Sequence, residues 1–293
     1  MRNNQPVTQR EIALGAQQKL ISTTDARGVI TYCNDAFVEI SGFNKSDLIG
    51  APQNIVRHPD VPSAVFAHMW GALKLGKPWM GIVKNRSKHG DHYWVNAYVT
   101  PIVEGREVVG YESVRVKPTI EQIIRTEALY KRISLGKSAV PVSDQWQPAL
   151  LAWLPVLTMG LVGALGGVFL GMSEAIILAA GVSVPIGLWV SSRQNRGALH
   201  LLEMAEASTC DALQAKMYSD ERGPQARLET AFVSQASRLK TCLTRLQDTA
   251  EQLTGLAGRS DGLATDSSRG LERQRVETEQ VSAAVNQMAA TTQ

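Results

Sequence analysis

Between Gln53 and Arg86 the chain gathers side chains suited to holding a ligand: Arg57, His58, Asp60, Trp79 and Asn85. The Arg57 guanidinium is a planar fork of donors that matches phosphate or carboxylate oxygens. His58 adds a donor, and Asp60 can hold either basic side chain in place. Trp79 offers a flat apolar surface. Asn85 follows it in the same strand-like run, and side chains that alternate along a strand put both on one face. An amide donates or accepts, so Asn85 can follow a ligand whose hydrogen-bonding pattern changes. Asn34, ending an earlier strand-like run, is a further polar candidate. Plainer roles stand beside these: Arg57-His58 solvating a loop, Asp60 capping the next helix, Trp79 and Trp94 filling a sheet core, and Asn85 closing a ladder.

Other chemistries find little support. His89 and His92 have metal-like spacing but straddle a Gly-Asp turn and lack further ligands. His58 as a haem ligand rests on that histidine alone. Cys33, Cys210 and Cys242 are scattered without a CxxC, as expected for reduced cytoplasmic thiols. Neither a phosphate-cradling glycine loop, a GxSxG elbow nor an acid/base pair occurs, so the expectation is a protein that is not an enzyme. The formal charge of +3 is too mild, and too evenly spread, for nucleic acid.

These side chains need elements to position them. Met1–Ala16 is polar and unpatterned, the expectation for a mobile cap. Leu20–Thr24 and Val29–Cys33 alternate as strands around an Asp-Ala-Arg-Gly turn. Short helices follow at Ala36–Ser41 and Lys45–Ile49, closed by Gly42 and Gly50. Gln53–Pro62 is polar and proline-marked, and Pro62–Leu75 reads as a helix stopped by Gly76. Trp79–Arg86, His92–Val103 and Glu107–Val116 are longer strands joined by turn residues. Strand pair, short helices and three long strands predict an antiparallel five-stranded sheet with helices on one face, an α+β unit.

The order of these elements resembles that of a PAS domain, and so do the segments Tyr32-x-Asn-Asp-Ala-Phe37, Ser41-Gly-Phe43, Gly81-Ile-Val-Lys-Asn-Arg86 and Gly90-Asp-His-Tyr-Trp94. Asn54-Ile-Val-Arg-His-Pro-Asp-Val-Pro62 resembles, more narrowly, the FAD-binding PAS domain of bacterial aerotaxis receptors, a branch of the methyl-accepting chemotaxis proteins. The resemblance implies FAD as cofactor, with Arg57, His58 and Asp60 toward its pyrophosphate, Trp79 packed on the ring system and Asn85 at the ring edge. Asn34 is then placed toward the ribityl or pyrophosphate portion. Light-sensing flavin domains keep a cysteine in an Asn-Cys-Arg segment, and Cys33 lacks that setting, so photochemical adduct formation is not expected.

Beyond the sensor, Ile120–Ser134 is patterned as an amphipathic helix. Ala149–Val190 holds no lysine or arginine and only Glu174 as a charge, and a run of about forty such residues suffices for two crossings of a bilayer. Trp153 and Trp189 near its ends, and basic residues outside both ends, agree with a hairpin whose termini face the cytoplasm. Ala198–Met217, a Gly223-Pro224 break and a second helix resemble a HAMP domain, with a generic helical linker as the alternative. The second helix keeps a heptad, with Phe232, Leu239, Leu246 and Leu253 at one seam position and Ala236, Leu243 and Ala250 at its partner, as in a dimeric coiled coil.

Glu277–Gln293 resembles the adaptation helix of chemoreceptors, where Glu279 and Gln280 match methylated positions; a solvated coiled-coil flank is the other reading. The expected layout is therefore a cap at 1–16, a PAS sensor at 17–118, a linker helix at 119–148 and a transmembrane hairpin at 149–191 (spans 149–171 and 175–191). A HAMP-like region at 192–250 and the start of a signalling coiled coil at 251–293 follow. The chain is expected to stop before the tip that grips a chemotaxis histidine kinase and its coupling protein. The implied protein is a homodimeric, in full length trimer-of-dimers, energy-taxis receptor of the bacterial inner membrane with both termini cytoplasmic. The alternatives are a PAS-regulated membrane-bound signalling enzyme cut before its catalytic domain, or a PAS chemoreceptor for a small metabolite.

Overall fold

The computed structural model describes residues 4–105, 107–141, 144, scattered positions between 153 and 189, and 211–291. It divides into two units, 1–239 and 240–293.

The first unit is built on β1 (Leu20–Asp25), β2 (Ile30–Cys33), β3 (Trp79–Arg86), β4 (His92–Glu104) and β5 (Glu107–Val116). They form one antiparallel sheet in the order β2-β1-β5-β4-β3. Between β2 and β3 lie α1 (Asp35–Ser41), α2 (Lys45–Leu48), a 3-10 turn (Gln53–Val56) and α3 (Ser63–Lys74). Local chemistry sets these boundaries. Asn34 caps α1 by accepting from Phe37 N, and Gly42 ends it in the left-handed region at φ 68°. Phe37, Leu20, Ile30, Leu48 and Leu73 are fully enclosed, each burial worth roughly 1.5–3 kcal/mol.

The helices expected on one face occupy both. Alternate residues of β3 point to opposite sides, and Met80 and Ile82 meet α4 (Ile120–Ser134) and α5 (Ala212–Tyr218). Tyr130 donates to Ile82 O at 2.6 Å, and its ring stacks on Trp94 at 6.2 Å. From α5, Gln214 Nε2 donates to Met80 O at 3.0 Å and the Tyr218 hydroxyl to Asn96 Oδ1 at 2.6 Å. Arg125 of α4 is paired with Asp220 just past α5.

The amino-terminal segment is strapped across the sheet edge. Asn4 Nδ2 lies 2.8–3.2 Å from the carbonyls of Asn54, Ile55 and Arg57. Arg86 donates to the carbonyls of Gln5 and Pro6, both at 2.8 Å. Backbone bonds join Thr8 to Gly90 and Ile12 to His92. A polar composition is thus compatible with order, because the partners are main-chain groups that leave no apolar pattern in the sequence.

Two expectations are corrected. Among the described residues no helix is long and apolar enough to cross a membrane. A span needs about 20 continuous apolar residues. The positions described between 153 and 189 are discontinuous, and the rest of 149–191 lies outside the described residues. The transmembrane part of the expected fold, and the multi-pass inner-membrane location drawn from it, are therefore unsupported. HAMP packing is unsupported as well. Residues 198–210 of its expected first helix lie outside the described residues, while α5 turns Gln214, Ala215, Met217 and Tyr218 into buried positions and packs on β3 and α4.

The second unit consists of residues of α6 (Pro224–Thr291), the long helix that begins in the first unit. Leu243, Leu246, Leu253, Leu271 and Val281 are exposed along it.

Candidate functional site

A cavity lies between the inner face of the sheet and the 3-10 turn with α3. It holds about 540 Å³ of atom-free space, part of it continuous with solvent. Strand register explains its floor. Trp79 pairs with Val99 and Val99 with Ser113; Gly81 pairs with Ala97 and Ala97 with Arg115. Alternation then puts these rows on one face with Val83 and Asn85. Ala97 is the small residue that lines the middle of that floor. A methyl group at Gly81 would collide with the indole of Trp79, so glycine is what allows this ring to lie along its own strand.

Of the six residues singled out from sequence, Arg57, Trp79 and Asn85 line the cavity. Arg57 follows the 3-10 turn and bridges to Asn85 through the backbone. Its NH2 donates to Val61 O at 2.8 Å and its guanidinium sits 4.5 Å from the Phe66 ring centroid. Burial lowers its pKa. The indole of Trp79 donates to His68 Nδ1 at 3.0 Å. His68 Nε2 in turn meets the carboxylate of Asp211, which caps α5 by accepting from Leu213 N and Gln214 N. One chain of polar contacts thus runs from the cavity wall to α5.

The other three do not line the cavity. His58 is buried behind the loop, edge-on to His92 with ring centroids 5.8 Å apart. Burial pushes its pKa down to about 4, and its Nδ1 accepts from Asp60 N at 3.2 Å. The neutral ring then carries its proton on Nε2, a buried atom with no hydrogen-bond partner. Asp60 is half-exposed and holds Lys84 at 2.7 Å. Burial pushes its pKa up, but the Lys84 hydrogen bond and the charges around it leave a net lowering. Asn34 is spent on structure: Oδ1 accepts from Ile21 N at 3.0 Å and Nδ2 donates to Lys19 O at 2.8 Å.

Sequence reasoning missed Gln53, Met69, Trp70, Ser113 and Arg115, all of which line the cavity. Trp70 packs edge-on against Tyr111 at 5.2 Å while presenting surface to the cavity. The signal for Ser113 and Arg115 was the alternation of β5, which puts them on the face of Asn85 once strand order is known.

The lining tests the fit to a flavin. Both amide atoms of Gln53 and Oγ of Ser113 are buried without hydrogen-bond partners, while the Asn85 side chain lies against the Tyr93 hydroxyl. Buried polar groups are normally satisfied, so such atoms around an apolar cavity mark places for a ligand's own donors and acceptors. With Arg57 for phosphate oxygens and Trp79 for a planar ring, the residues present fit FAD in kind. Among the described residues no cluster of histidine, cysteine and carboxylates could hold a metal ion.

Sheet and helices form a PAS-type α+β module, and residues 30–115 match the family described as PAS fold. Over the PAS region the chain is a homologue of the aerotaxis receptor of Escherichia coli: 49% identical over 133 residues, 45% of this chain and 26% of that one. The nitrogen fixation regulatory protein of Klebsiella pneumoniae is 30% identical over 132 residues, 43% of this chain and 27% of that one. The chain thus spans about a quarter of the length of these curated relatives. Among solved structures, the dark structure of the blue-light photoreceptor Aureochrome1 LOV aligns with 41% of this chain and 88% of its own, at 19% identity and a TM-score of 0.36.

Proposed function

We propose that this chain is the sensor and proximal signalling part of a redox- or oxygen-taxis receptor that reads the state of an FAD held in the PAS cavity. The observation that carries this reading is the cavity itself. Arg57, Trp79 and Asn85 converge there beside buried polar atoms that have no protein partner. FAD, when bound, supplies a ring that accepts electrons and changes its hydrogen-bonding pattern on reduction. Arg57 binds phosphate oxygens, Trp79 packs against the ring, and Asn85 donates or accepts at its edge. His58 and Asp60 position the loop that carries Arg57, the first by filling the space behind it and the second by tying it to Lys84. Asn34 holds α1 against β1, so that Phe37 stays under the sheet.

Strand β3 is the natural transmitter. Asn85 and Trp79 face the cavity, whereas Met80 and Ile82 offer carbonyls to Gln214 and Tyr130. A shift of β3 on the cavity side is therefore felt by α4 and α5. From there α6 carries the change onward as one strand of a dimeric coiled coil, toward a chemotaxis histidine kinase and its coupling protein. Glu279-Gln280 serves as an adaptation site on its exposed flank, where Arg275 now holds Glu279 at 2.7 Å.

Protein purified from flavin-replete cells should be yellow, release FAD on denaturation and bleach with dithionite. Arg57→Ala should lower the FAD-to-protein ratio at least severalfold, because a charge-assisted phosphate contact is worth roughly 1.5–3 kcal/mol. A colourless preparation, or full FAD retention in R57A, would count against the reading and against the role of Arg57 respectively.

A further inference from the structure

Arg115 is the one cation on the sheet floor of the cavity among the described residues. It is 7% exposed, its NH1 donates to Ser22 Oγ at 3.0 Å, and its guanidinium lies 5.2 Å from the Phe37 ring centroid. A hydroxyl and a ring face do not neutralise a charge, and no carboxylate among the described residues pairs with it. The titratable or charged groups facing it are Tyr93 from β4 and, across the cavity, Arg57 from the loop. Burial raises the pKa of Tyr93, so that hydroxyl stays neutral. Burial lowers Arg115 to about 10, which still leaves it charged at neutral pH. A buried cation without an anion is costly.

We propose that Arg115 is the counter-charge for the reduced cofactor: it faces the negative charge the flavin ring acquires, so that reduction takes up fewer protons than electrons and is made easier. This rests on the FAD reading above. The step balances as two electrons from an external reductant, dithionite in the test, and one proton from solvent, leaving one net negative charge on the ring beside Arg115. Without the cation a second proton must follow. The role is distinct from that of Arg57, which lies on the loop and is placed for phosphate.

Spectroelectrochemical titration of the FAD-loaded full chain tests this. In mildly acidic buffer the native midpoint potential should fall by about 30 mV per pH unit, the slope for one proton per two electrons. Arg115→Gln should make reduction at least tenfold less favourable, a potential lower by about 30 mV, and steepen the slope toward about 59 mV per pH unit. Arg115→Lys, which keeps the charge, should stay near native in both. A native slope of about 59 mV per pH unit overturns the proposal without any variant, which covers the case in which R115Q fails to fold. R115Q with native potential and slope overturns it too. A chain that binds no flavin at all defeats the functional reading instead, so the two failures are told apart.

Discussion

His58, read from sequence as a ligand contact, lies outside the cavity lining. It is walled in by the loop and His92, and burial drives its pKa from 6.5 to about 4. The sign of the pH effect follows. The unfolded chain takes up a proton on His58 as pH falls through 6.5, while the folded chain resists until about 4. Stability from this group is complete above the unfolded value and is lost between those limits, at up to about 1.4 kcal/mol per pH unit. His92, lowered for the same reason of burial, adds in the same direction. Urea unfolding of the native chain should therefore show the midpoint falling steadily across that window, and His58→Gln should flatten the curve. A midpoint independent of pH between 7 and 4 in the native protein would show that neither histidine is held neutral. At this scale the sequence was readable by residue type and misleading by placement. Arg57, Trp79 and Asn85 reach the cavity, whereas Asn34 is consumed as a helix cap, a role its type suits equally well. Arg115 was not singled out, because its lack of an acidic neighbour shows only in the tertiary structure.

Elements were more legible than their destinations. Strands β1, β3 and β4 end in turns that contain glycine, and all five strands are found within a residue or two of the limits drawn from sequence. Helix α4 announces itself through Thr119 and Gln122, a reciprocal cap followed by an apolar stripe. Nothing local, however, says that α5 leaves the helical rod and docks on β3, because the polar residues Gln214 and Asp211 share the anchoring with Met217 and Tyr218. Gln214 is buried and bonded to a strand carbonyl, and Asp211 joins α5 to His68 and so to Trp79. Asp211→Ala removes two backbone acceptor contacts and the His68 partner together. The loss of the cap alone is worth about 0.5–2 kcal/mol. Hydrogen exchange should rise at the amides of α5 while the amides of β1, β4 and β5 keep native protection. Equal loss of protection across the sheet would mean that α5 is part of the sensor core and not a separable reader of β3.

At the scale of the whole molecule the long helix α6 poses the sharpest question. Leu243, Leu246, Leu253 and Leu271 are each 60–68% exposed, and this part of the helix forms a unit by itself. A single helix draws most of its stability from packing an apolar face, so a seam that recurs every three and four residues calls for a second helix. The heptad positions fit a copy of the same chain. Gly255, Gly258, Gly262 and Gly270 lie off the two seam positions and lower the helix propensity of the middle of α6 by up to about 1 kcal/mol each relative to alanine. Replacing Leu246 and Leu253 together by lysine places like charges opposite each other across the seam and removes two apolar layers. Sedimentation equilibrium should then find monomers at concentrations where the native chain is dimeric, with the far-ultraviolet helix signal of α6 reduced. The FAD content per chain should be unchanged, since the cavity is formed within the first unit of one chain. A double variant that remains dimeric would move the association elsewhere, and one that loses FAD along with dimerisation would mean that the sensor depends on its partner copy, against the single-chain cavity described above.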